Sequence, residues 1–117
     1  MNTQRLYKNE RLRLRRDFKN LFNDKGRAVS SYFVLVYKEN GLDHCRIGIS
    51  VKKKFGKAHL RNKVRRYIKE VYRKNKEDFP FGYDILFIPR KGLSDCFKNV
   101  NYHDIENMIF NVVGKIK

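Results

Sequence analysis

Residues 52–76 read KKKFGKAHLRNKVRRYIKEVYRKNK and hold twelve Lys or Arg against one acid, Glu70. Such a density of like charge repels itself, so it needs a polyanionic partner or a scaffold strong enough to hold it. The run is also patterned. Leu60, Val64, Tyr67, Ile68 and Val71 fall at i, i+4, i+7, i+8 and i+11, one face of an α-helix. Arg61, Arg65, Arg66, Lys69 and Arg73 fall on the neighbouring and opposite faces. A disordered basic tail has no such apolar stripe. The spacing therefore predicts a packed helix over 57–75 with a basic surface suited to phosphates.

The rest of the chain fits one small domain, residues 1–117, built around that helix. Phe18, Leu21 and Phe22 predict a short first helix at 15–23, ended by Asn23, Asp24 and Gly26. Residues 31–38, SYFVLVYK, read as a strand apolar enough to be covered on both faces. Asn40-Gly41 is a turn signal. Residues 45–51 alternate, with Ile47, Ile49 and Val51 on one face and Arg46, Gly48 and Ser50 on the other, so the two runs are expected to pair as a hairpin. YDILFI at 83–88 is a third strand, closed by Pro89. Asn101 predicts the N-cap of a last helix over 102–116, with Ile105, Met108, Ile109, Val112, Val113 and Ile116 as its stripe. The order α-β-β-α-β-α gives a two-layer α+β sandwich.

Charge is unevenly placed. The formal net charge is +16. Residues 1–30 carry nine Lys or Arg against three acids, and residues 77–117 carry five against six, so the basic surface belongs to the N-terminal segment and the central helix. One-sided charge favours a defined docking face. The N-terminus has no apolar core of a secretory signal, and no apolar run nears the ~20 residues of a membrane span, so cytoplasmic residence is the default expectation. Cys45 and Cys96 lie in no CxxC or Cys/His cluster and read as small core residues.

Chemistry intrinsic to the chain finds little support. A two-metal nuclease needs carboxylates converging on metals ~4 Å apart, and the twelve acids are scattered. His44, His59 and His103 sit in separate segments and do not read as an acid–base pair. Binding is better supported. Lys52, Lys53 and Lys54 extend the Arg46/Ser50 face of the second strand. The N–H groups at the helix start, near Lys57, suit an anion, and Arg61, Arg65 and Lys69 continue along the helix. Nine Phe and seven Tyr offer either core packing or stacking platforms for bases.

The stretch SVKKKFGKAHLRNKVRRYIKE at 50–70 closely resembles the signature of the protein subunit of bacterial ribonuclease P: a basic loop, Gly, a small residue, then Arg61-Asn62-Lys63-Val64-Arg65-Arg66 on a helix. Arg16-Asp17-Phe18 with Phe22, Arg46–Val51, Gly82-Tyr83-Asp84 and Pro89-Arg90-Lys91 resemble further family segments in the same order. The resemblance implies a protein that assists an RNA-based endoribonuclease, with no catalytic residue and no metal ligand of its own. Mg²⁺ is then held through the RNA subunit. The expected partners are the catalytic RNA and precursor tRNA, with no membrane and no obligate protein partner. Lys54, Lys57, Arg61, Asn62, Arg65, Arg66 and Lys69 map onto the surface facing the catalytic RNA. Phe18, Phe22, Arg46, Ser50, Lys52, Lys53, Arg90 and Lys91 map onto the cleft for the 5′ leader. A left-handed crossover around the basic helix and a short extra strand at 27–30 are also implied. The alternative is a ribosomal or RNA-chaperone protein without associated cleavage.

Overall fold

Residues 85–88 are apolar at every position, and a strand with no polar face must be covered on both sides. In the computed structural model, which describes residues 10–12 and 26–116, this strand is interior. Among the described residues the four strands are β1 (Gly26–Val29), β2 (Phe33–Glu39), β3 (Arg46–Ile49) and β4 (Tyr83–Pro89), in the spatial order β1-β2-β4-β3. β1–β2 and β2–β4 pair antiparallel, and β3–β4 pair parallel. The helices are α1 (Ala58–Lys74), α2 (Lys91–Cys96) and α3 (Tyr102–Val113). The short extra strand is present as β1, the basic helix forms where its apolar stripe predicts it, and the C-terminal helix starts as predicted but ends at Val113, with Gly114 as its C-cap, so Ile116 lies beyond it. The first helix expected at 15–23 lies outside the described residues.

The expected hairpin between β2 and β3 does not form, because β4 lies between them. The Asn40-Gly41 turn is real, with Gly41 at φ 71°, but residues 40–45 carry the chain across the end of β4. Two strand spacings, ~10 Å, are within reach of such a link. Asn40 holds the crossing in place. Its N–H donates to Gly82 O at 2.8 Å and its side-chain amide donates to Asp84 Oδ1 at 2.9 Å. Burial decides the order: both faces of β4 are apolar, so the centre of the sheet is its favourable position. The short helix α2 has no counterpart in the sequence pattern. Gly92 and Ser94 are weak helix formers, and its apolar side amounts to the single pair Leu93 and Phe97, both buried.

One face of the sheet is sealed by α1 and α3. Phe33, Leu35, Ile47, Ile85 and Phe87 from the strands meet Val64, Ile68 and Val71 of α1 and Ile105, Ile109 and Val112 of α3. Asn101 caps α3 with a reciprocal box: Asp104 N–H donates to Asn101 Oδ1 and Asn101 N–H donates to Asp104 Oδ2, both at 2.9 Å. The other face carries a smaller cluster, Val36 and Leu86 under Leu12, with Val34 and Ile88 beside them. Leu12 reaches it because residues 11–12 run along the free edge of β3, where Leu12 N–H donates to Ile47 O at 2.7 Å.

Two buried acids tie the ends of the fold. Glu10 accepts from the Tyr72 hydroxyl at 2.6 Å and from Lys76 at 2.8 Å. Asp84 accepts two bonds from Arg46, at 2.8 and 2.7 Å, besides the one from Asn40. Burial and the bond to Glu10 push the Tyr72 hydroxyl well above its ordinary range.

This packing makes two positions testable. A Cβ at Gly92 would sit 2.2 Å from the backbone oxygen of Ser31, which rigid backbone cannot yield cheaply. Gly92→Ala should cost about 1–3 kcal/mol in urea denaturation, although alanine is the better helix former. Burial first, then the charges of Asp84 and Glu10, pushes the Cys45 thiol up to about 12. An unfolded thiol titrates near about 8.5. The contribution to stability is therefore complete below about pH 8.5 and is lost as pH rises through the folded value. A thiol-specific disulfide reagent at pH 8 should modify the half-buried Cys96 first and reach Cys45 only on unfolding; equal native rates would refute this.

Candidate nucleic-acid interface

Two cationic surfaces emerge from this packing. The first is the arc of α1 turned away from the sheet. Because Val64, Ile68 and Val71 face the core, the 100° step per residue sends Arg61 and Arg65 to one flank and Asn62, Arg66 and Lys69 outward. Arg65 Nη1 donates to Asn62 Oδ1 at 2.9 Å, so Asn62 orients a guanidinium one turn away. Arg61 Nε is buried and has no hydrogen-bond partner among the described residues. The N-cap Lys57 makes no side-chain cap and the first turn holds no acid, so the helix itself supplies no compensation for the positive end of its dipole.

The remaining cations of α1 are occupied. Arg73 donates twice to Glu70, both at 2.8 Å. That pairing holds the Glu70 carboxyl below its usual range and Arg73 above its own. Lys63 lies over Tyr67 and Phe97, at 5.8 and 6.0 Å, and Lys74 over Tyr102 at 5.1 Å. Lys57, Arg61, Arg65, Arg66 and Lys69 have no ion pair among the described residues. The helix therefore has a neutralised flank beside α3 and a charged flank on the side where Tyr72 meets Glu10.

The second surface is a groove of about 490 Å³ at the end of the sheet where β4 exits. Val34, Ile88 and Phe55 give it an apolar floor, and Lys52, Lys54, Arg90 and Lys91 line its walls with Ser94 and Asp95. The loop is pinned from beneath. Phe55 is buried against Phe97, with ring centroids 5.4 Å apart, and its carbonyl accepts from Ser94 Oγ at 2.6 Å. Lys52, Lys53 and Lys54 are left exposed above it. On the opposite wall, Arg90 Nη1 donates to Ser30 O at 2.6 Å, and the close approach of Gly92 to Ser31 seats α2.

Of the residues assigned to a leader cleft, Lys52, Arg90 and Lys91 meet in this groove, and Lys54, assigned to the other surface, joins them. Lys53 is on the same loop. Ser50 is exposed at the end of β3, its N–H bonded to Phe87 O at 3.0 Å. Arg46 is at the far end of β3, with two of its donors committed to Asp84. Phe18 and Phe22 lie outside the described residues. Sequence reasoning misses Phe55, Ser94 and Asp95; the i, i+4 pair Leu93/Phe97 is the available sign of the helix that brings Ser94 and Asp95 in. Among the described residues, no group of three His, Cys, Asp or Glu comes together to hold a metal ion. No helix among them is long and apolar enough to cross a membrane.

The family model described as Ribonuclease P matches residues 6–117. The ribonuclease P protein component of Petrotoga mobilis is 49% identical over 117 residues, covering 100% of this chain and 99% of that one. The solved RNase P protein of Thermotoga maritima superposes with a TM-score of 0.87 at 44% identity, covering 92% of this chain and 98% of the other. That of Staphylococcus aureus gives 0.79 at 31% identity, covering 90% and 93%. With the fold, the basic helix and the sequence in agreement along nearly the whole chain, the protein belongs to the family of ribonuclease P protein components.

Proposed function

We propose that the chain works as the RNA-binding protein subunit of ribonuclease P, docking on the catalytic RNA through α1 and holding the 5′ leader of precursor tRNA in the groove. The observation that carries this reading is the groove itself. Cations from two segments far apart in sequence, Lys52 and Lys54 on one side and Arg90 and Lys91 on the other, converge over an apolar floor. A cationic wall with an apolar floor suits a single strand, whose phosphates and base faces need different partners. The free arc of Lys57, Arg61, Arg65, Arg66 and Lys69, with Asn62 steering Arg65, suits a phosphate surface of fixed shape. In this reading hydrolysis belongs to the RNA, which also holds Mg²⁺, and the protein contributes no catalytic residue. Its effect is to raise the local concentration of substrate and fix the leader's direction relative to the RNA. A cytoplasmic location accords with such a role.

The decisive experiment incubates precursor tRNA with the protein alone, the catalytic RNA alone, and both at low Mg²⁺. Cleavage should appear or rise sharply only with both; cleavage by the protein alone would overturn the assignment. Removing one side chain that neutralises a phosphate should reduce the salt slope of RNA binding by about one unit. The triple variant Arg61→Ala/Arg65→Ala/Arg66→Ala should therefore bind the RNA subunit more weakly and with a flatter slope. A folded triple variant with the parent slope would remove α1 from the interface.

Phe18 and Phe22 are assigned to the leader groove by the family resemblance. Phe18→Ala or Phe22→Ala should weaken binding of leader-bearing tRNA by ~1–3 kcal/mol and leave mature tRNA nearly unaffected. Rings that serve only as core would instead cost ~3–5 kcal/mol of stability and reduce both affinities alike, which denaturation run beside the titrations would reveal.

A further inference from the structure

The residues flanking a two-residue hairpin turn commonly exchange two backbone hydrogen bonds. Between β1 and β2 one of these forms, Ser30 N–H donating to Phe33 O at 2.9 Å. The other is diverted. Phe33 N–H donates to Ser30 Oγ at 3.1 Å, and Tyr32 N–H donates to the same oxygen at 3.2 Å. The Ser30 carbonyl is thereby left for Arg90, whose Nη1 donates to it at 2.6 Å from 60 residues away in sequence. Two further contacts lock the segments together. Arg90 N–H donates to Tyr32 O at 2.9 Å. Gly92 packs so closely on Ser31 that a Cβ would lie 2.2 Å from its backbone oxygen. The turn is a fixed platform for one guanidinium.

Arg90 lines the groove with Lys52, Lys54 and Lys91, and it differs from them. Among the described residues no ion pair orients those lysines. A lysine offers a point charge on a mobile stem, whereas an arginine offers a planar fork. With Nη1 committed to Ser30, Nε and Nη2 leave an edge that can take two oxygens of one phosphate. A side chain already held loses less freedom when its ligand arrives. Resting on the leader-binding reading above, we infer that Ser30 is a positioning residue for leader recognition: its hydroxyl draws off the Phe33 N–H, and its freed carbonyl holds the Arg90 guanidinium for a leader phosphate. The lysines then supply attraction that phosphates in any arrangement can use, and Arg90 supplies the fixed point that sets the strand's register.

The test uses the holoenzyme reconstituted from the full-length chain and its RNA subunit, titrated with leader-bearing and leaderless tRNA. Ser30→Ala removes the hydroxyl and returns the Phe33 N–H to the carbonyl of residue 30, in competition with Arg90. It should weaken binding of leader-bearing tRNA about three- to tenfold, the worth of roughly one net hydrogen bond, and leave leaderless tRNA unchanged. Arg90→Ala should lose at least as much, and adding Ser30→Ala to it should cost nothing further, because the hydroxyl acts only through that guanidinium. A turn that matters for stability alone would give losses that add in the double variant and fall on both tRNAs. That result overturns the inference, as does parent affinity for leader-bearing tRNA in either single variant. Arg90→Lys leaves the turn intact and keeps the charge without the fork. It should show the same leader-selective loss with the salt slope of the parent; parent affinity there would mean that charge alone suffices, and the inference falls. Thermal melting confirms that each variant compared is folded. If leader-bearing tRNA binds the parent holoenzyme no better than leaderless tRNA, the leader-groove reading itself fails.

Discussion

The seam between α1 and the sheet carries the opposing forces of the whole molecule. On one side of the helix, Val64, Ile68 and Val71 are fully buried among strand residues. On the other, Lys57, Arg61, Arg65, Arg66 and Lys69 repel one another across a surface with no counter-charge among the described residues. Burial of such side chains contributes ~1.5–3 kcal/mol each, whereas surface cations interact through water and are screened over about 8 Å at physiological salt. The apolar seam therefore dominates. A short-range force holds the helix, and the long-range field it carries is left for a partner.

The acids are placed consistently with that division. Glu10 and Asp84, the two buried carboxylates among the described residues, bind Tyr72, Lys76, Arg46 and Asn40 at the end of the sheet remote from the groove. Glu70 neutralises Arg73 on the flank away from Arg61 and Arg65. Each of these acids is thus used where a cation serves structure. Among the described residues, the loop at 52–54 and the entrance of α2 receive none in ion-paired form. An acid placed one helical turn nearer the start of α1 than Glu70 would neutralise part of the surface that the proposed function needs bare.

The two long helices are legible in the sequence because a helical stripe and a capping residue are local signals. Leu60, Val64, Ile68 and Val71 mark α1, and Asn101 marks the start of α3. Strand existence is equally visible in SYFVLVYK and YDILFI. Strand order is not. Sequence proximity and Asn40-Gly41 suggest a β2–β3 hairpin, while the preference for burying β4 on both faces acts over a distance that no local pattern records. The groove is half legible for the same reason. The resemblance points to Lys52 and Arg90-Lys91, but their convergence depends on the parallel pairing of β3 with β4, which brings the exits of both strands to one end of the sheet. Arg46 shares a strand face with Ser50, and register separates it from the groove along the strand.

That parallel pairing also explains why one chain of this size can present two surfaces without mixing them. Because β3 and β4 point the same way, the loop that leaves β3 and the segment that leaves β4 emerge together, and α1 begins there and runs back along the sheet. An antiparallel β3–β4 pair would have sent Arg90 and Lys91 to the opposite end from Lys52–Lys54. The groove would then have had one cationic wall. The crossover costs loop-closure entropy, which grows only slowly with length, and α1 fills the intervening chain with buried apolar side chains that offset it. The helix that closes the crossover is thus also the helix whose free face carries the charge, so its position cannot shift without disturbing the strand register that builds the groove.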